Sequence, residues 1–151
     1  IRILLLAFFV VLMVVSYQDI KYREIHDGCH IAVIVLAVMA ASAGTETGLL
    51  SRLAGALCVS APMLVVALII PGAFGGGDIK LMAAAGLFLG WKSTIVSAVL
   101  AVFAAGVYGV LLIARKKEYR GRRFAFGPYL SAGMAAGALW GEKLWQMWYG
   151  W

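Results

Sequence analysis

Apolar residues run along this chain in long blocks, broken by short polar stretches that carry most of the charge. An α-helix needs roughly 17 to 25 mainly apolar residues to cross the hydrocarbon core of a bilayer. Blocks near that length recur at Ile3–Tyr17, Gly28–Ala43, Leu49–Ile70, Gly75–Trp91, Ser93–Ala114 and Phe124–Trp140. They predict six transmembrane helices joined by short connections, so successive helices run antiparallel. The fold class is all-α, a polytopic membrane protein, with residues 1–151 forming a single transmembrane domain.

Composition agrees with that pattern. The chain is 64% hydrophobic with only 13% charged residues and a mean hydropathy of +0.95, which no ordinary soluble domain of 151 residues would show. The first block runs into Asp19, Lys21 and Arg23 without a small-residue cleavage site, so it reads as a retained helix rather than a signal peptide. The two cysteines, Cys29 and Cys58, form no paired motif and read as small buried hydrophobes.

Charge sets the expected orientation. The first, third and fifth connections fall on one side and hold Lys21, Arg23, Lys80, Arg115, Lys116, Lys117, Arg120, Arg122 and Arg123. The other side keeps Arg2, Arg52, Lys92 and Lys143, so the basic excess puts the first set in the cytoplasm and both termini outside. Trp140, Trp145, Trp148, Tyr149 and Trp151 then form an outer aromatic belt. The basic run Arg115–Arg123 reads as a topology determinant in contact with anionic membrane lipid, not as a nucleic-acid site. The cell's inner (cytoplasmic) membrane is the expected location.

Within this frame two acids stand out. Counting back from Gly90, Trp91 and Lys92 over one membrane thickness puts the start of the fourth helix near Gly75 and leaves Asp78 at or just inside the inner boundary. Counting forward from Ile3 brings Asp19 to the same face. Ionisable groups at that depth are costly and usually functional. Two carboxyls brought close in a low dielectric do not both ionise easily, so they share a proton. One can then act as general base on a water while the other polarises a peptide carbonyl, the requirement of aspartyl proteolysis. The plainer alternative is helix capping by each aspartate separately. Gly75, Gly76 and Gly77 leave room for a substrate backbone to approach Asp78, or form a permissive turn after Pro71. Lys80 lies deeper than Asp78 and must snorkel or pair with a carboxylate. His26, Cys29 and His30 have a passing likeness to metal ligands but lack further donors, and they read instead as interfacial residues opening the second helix, with Asp27 as its N-cap. No metal and no cofactor is expected.

The segment GGGDIK contains the Gly-x-Gly-Asp signature of intramembrane aspartyl proteases, as Gly75, Gly76, Gly77 and Asp78. Together with QDIKYREIHD before the second helix and FGPYL in the sixth, the whole chain resembles the type IV prepilin peptidases. The resemblance implies a six-helix peptidase core with Asp19 and Asp78 as its catalytic dyad. It implies removal, at the cytoplasmic face, of the short basic leader from prepilin or pseudopilin precursors of pilus assembly or type II secretion. Phe126, Gly127 and Pro128 match the family's motif in the last helix and are expected to border the active site with the glycines and Lys80. In EIHD, His26 stands where the family usually has proline and Asp27 where it usually has asparagine. Larger relatives carry a cysteine-paired cytoplasmic segment associated with N-methylation, which has no room between these helices, so methyltransferase activity is not expected. A small proton- or ion-coupled transporter using the same acids is the rival reading, although transporter sites favour the midplane. An assembly subunit whose charges only orient it leaves the matched acids unexplained.

Overall fold

The computed structural model describes residues 2–115 and 125–150. Every predicted segment is helical: α1 (Arg2–Tyr22), α2 (Asp27–Ser42), α3 (Leu49–Cys58), α4 (Ser60–Ile69), α5 (Gly76–Leu89), α6 (Trp91–Ala114) and α7 (Gly127–Tyr149). Helices α3 and α4 are one crossing broken at Val59, whose ψ of −40° is helical but whose φ of −112° is not. The break follows from Pro62, which has no N–H to return to the carbonyl four residues back and whose ring crowds it. Ser60 adds to it by donating its hydroxyl to the Ala56 carbonyl.

Three stretches, Arg2–Tyr22, Leu49–Ile69 and Trp91–Ala114, are long and apolar enough to cross a membrane unaided. Large apolar side chains such as Ile3, Leu50, Leu68, Phe103 and Ile113 point outward with most of their surface exposed, as lipid-facing residues do. The protein is an integral membrane protein. Its surface is apolar, and its tightest packing involves small residues.

The centre of the bundle is α5. At 14 residues it spans only about 21 Å, less than the hydrocarbon core. It tolerates this because its neighbours enclose it: Asp78, Leu81, Met82, Ala84, Ala85, Gly86 and Phe88 are all buried. Gly86 meets Gly55 of α3 backbone to backbone, and a Cβ on either would run into the other's main chain. Phe88 stacks on Phe8 of α1 with ring centroids 4.6 Å apart. Helix α5 ends at Gly90, whose φ of +79° is a left-handed conformation that suits glycine, and α6 begins at the next residue.

Helices α6 and α7 are joined by a ladder of small residues. Gly133, Gly137 and Gly141 face Ala101, Ser97 and Ser93, so close that a methyl on any of the glycines would strike the opposite helix. Small residues four apart on both helices let the backbones approach. The predicted sixth segment, Phe124–Trp140, differs from α7 at its far end, because the helix continues to Tyr149. There Trp145 packs edge-on against Trp91 and stacks on Tyr149.

At the end of the bundle where α5 finishes, Arg52 is 3% exposed and has no carboxylate partner among the described residues. Its guanidinium donates to the carbonyls of Thr47, Leu87 and Phe88 and to the Thr45 hydroxyl, and reaches the Ala37 carbonyl at 3.5 Å. A cation among the last carbonyls of a helix meets the negative end of its dipole. The predicted topology-determining residues Lys116, Lys117, Arg120, Arg122 and Arg123 lie outside the described residues, as does Trp151.

Candidate active site

Antiparallel packing gathers the C-terminal end of α1 and the N-terminal ends of α2, α5 and α7 at one end of the bundle. Both candidate aspartates lie there and both are buried, Asp19 at 7% and Asp78 at 8% exposure. Neither residue is itself the cap of its helix. Asp19 lies inside α1, which continues to Tyr22, and an acid near a helix C-terminus opposes the dipole. Asp78 is in the first turn of α5, whose N-cap is Gly75.

Each carboxyl is held at the start of a helix. The N–H of Gly127, first residue of α7, donates to Asp19 Oδ2 at 2.8 Å. That amide has no partner within its own helix, and the N-terminal dipole favours a negative group there. Pro128, in the first turn, fits the helix start without the loss of a bond. Any Cβ at Gly127 would lie less than 3 Å from the Asp19 carboxyl, so only glycine brings the amide this near. Asp78 bends back toward its own N-cap, with Oδ2 beside Gly75 and the Gly75 amide interacting with the carboxyl. Its Oδ1 is buried and has no hydrogen-bond partner among the described residues.

The other sequence-predicted residues fall around this pair. A Cβ on Gly77 would come 3.2 Å from Ile25 Cβ, so its missing side chain admits the connection between α1 and α2. Gly76 has open space around it. Phe126 meets Phe74 edge-on at 6.0 Å, joining the entrances of α7 and α5. Lys80 pairs with Asp27 at 3.2 Å, not with either buried aspartate. Asp27 is the first residue of α2 rather than its cap, a position taken by His26.

Sequence reasoning missed three contacts. Gln18 Oε1 accepts the His26 N–H at 3.3 Å and lies 3.4 Å from the Cys29 thiol, fixing the start of α2 beside Asp19. His30 Nε2 lies 2.9 Å from the Gly77 carbonyl. The only hint in the sequence was polarity at the start of an apolar block, which does not identify a partner 47 positions away.

A bundle of membrane helices with two buried carboxyls at one end belongs to the class of intramembrane acid sites, and comparison with known proteins narrows it. A sequence model of the type IV leader peptidase family matches residues 6–110, more than two thirds of the 151 residues. The chain belongs to that family. The prepilin leader peptidase/N-methyltransferase of Aeromonas salmonicida strain A449 is 33% identical over 75 residues, covering 50% of this chain and 25% of that protein. The protein of the same name from Bacillus subtilis strain 168 is 28% identical over 144 residues, covering 91% of this chain and 56% of that protein. The chain thus spans between a quarter and about half of the length of these relatives. No solved structure matches it. The family match includes Asp19 and Asp78 and stops short of Gly127.

Proposed function

We propose that this chain is a membrane aspartyl endopeptidase that removes the leader from prepilin-like precursors, with its site facing the cytoplasm from the inner membrane. The carrying observation is that α1 and α5 bring two buried carboxyls, Asp19 and Asp78, to one end of the bundle. Family membership and the names of the relatives support the substrate class.

In this reading one carboxylate takes a proton from water as the water attacks the scissile carbonyl. The other, protonated, donates a hydrogen bond to the carbonyl oxygen and stabilises the charge that develops there. The proton then passes to the leaving amine, and the pair returns to its shared-proton state. Asp78 Oδ1, buried and without a hydrogen-bond partner among the described residues, is the atom left for a water or substrate group to engage. Gly127 and the α7 terminus hold Asp19 in place while this occurs. Peptide hydrolysis alone is proposed; Cys29 and Cys58 are free thiols in separate helices.

The test uses the full chain in detergent with a synthetic precursor: a short basic leader followed by an apolar helix, in water enriched in oxygen-18. Cleavage with one label in the new carboxyl terminus of the leader is the expected result. An intact precursor, together with proton flux in liposomes that Asp19→Asn abolishes, would replace the peptidase with a transporter.

A further inference from the structure

The catalytic reading makes no use of the most deeply placed polar contact between α2 and α5. His30 is 5% exposed and sits one turn into α2. A buried imidazole without partners would be costly, so its contacts explain its presence. The Gly77 carbonyl can only accept, so the Nε2–H of His30 donates to it at 2.9 Å. A helical carbonyl already has a donor four residues on; this second bond is not needed to form α5 and instead ties α5 to α2. Nδ1 on the other edge of the ring faces Asp27 Oδ1 at 3.5 Å, and the same oxygen pairs with Lys80 at 3.2 Å. Asp27 and Lys80 are 75% and 64% exposed, and such surface pairs contribute little by themselves. With the hydrogen on Nε2, Nδ1 has none to donate to Asp27 and has no hydrogen-bond partner among the described residues, so the bond to Gly77 is what holds the ring.

We propose that His30 is a positioning residue: its hydrogen bond to Gly77 fixes the peptide that leads into Asp78 and thereby aims the Asp78 carboxyl. The proposal rests on the reading of Asp78 as catalytic. Two features make this contact matter at this point. Gly76 and Gly77 give the first turn of α5 little stiffness of its own. Asp78 Oδ1 has no other group to hold it among the described residues. Small misplacements of a reacting group lower rates sharply.

The experiment compares His30→Leu with His30→Gln, whose amide nitrogen reaches about where Nε2 lies. Cleavage kinetics of the synthetic precursor are measured alongside backbone hydrogen exchange across residues 76–82 of the full chain in detergent. For His30→Leu we expect kcat to fall at least about tenfold with KM little changed, and faster exchange confined to that segment. His30→Gln should recover kcat to within about threefold and restore the protection. Equal loss in both variants, or a Leu variant with unchanged kcat and unchanged protection, would overturn the proposal. A chain in which Asp78→Asn cuts normally would instead overturn the catalytic reading, and the exchange comparison would still decide whether His30 holds the start of α5.

Discussion

At Gly127 a single methyl group decides whether Asp19 keeps its place. The Gly127 amide reaches the Asp19 carboxylate only because nothing projects from its Cα. Gly127→Ala is therefore expected to displace the carboxyl and cut cleavage by about 10- to 100-fold. Gly109→Ala on α6, in open space away from the site, should leave cleavage within about threefold, and a kinetic comparison of the two variants checks both. The aspartates themselves were legible in the sequence, because a charge that survives in an apolar block marks itself. Their supports were not. Gly127 reads as one more residue of a family motif, and its bond to Asp19 joins positions 108 apart. Lys80 was expected to snorkel or to pair with a carboxylate, and only packing of α2 against α5 shows that it pairs, with Asp27.

Among the elements, α6 and α7 show how far spacing alone can be read. Gly133, Gly137 and Gly141 recur every four residues, as do Ser93, Ser97 and Ala101, yet neither set announces that it meets the other. Gly137→Leu would force the helices apart and should lower stability by about 1–3 kcal/mol in a detergent unfolding titration. Gly106→Ala on α6, with nothing within 4 Å, should not. Arg52 was taken from the sequence only as a basic residue on the outer side. In the bundle it is buried, gathering carbonyls from the ends of α2 and α5. Arg52→Met removes the donor that the Thr47, Leu87 and Phe88 carbonyls share and should cost about 2–4 kcal/mol by the same titration. Arg52→Lys should recover only part of that, since an ammonium cannot reproduce the fork of the guanidinium.

The whole molecule was the most legible level: six apolar blocks, short connections and an all-α bundle follow from hydropathy and length. Helix lengths were less so. The 14 residues of α5 fall short of a full crossing, because neighbours rather than lipid surround it. That shortness, with the turn before it, brings Asp78 into the bundle instead of leaving it at the surface. Sidedness is a separate matter: with the site end cytoplasmic, a cysteine placed at Glu24 should resist an impermeant maleimide on intact cells, whereas one at Glu46 should react. Equal labelling, scored in a background lacking Cys29 and Cys58, would contradict that orientation.

The dyad is tested most directly by cleavage of the synthetic precursor with Asp19→Asn, Asp78→Asn and the double variant measured together. If the two carboxyls act as one unit, each single change should remove at least about a thousandfold of the rate, and the double change should cost little more than either alone. Full cleavage by either single variant, or losses that simply multiply, would contradict a shared-proton pair.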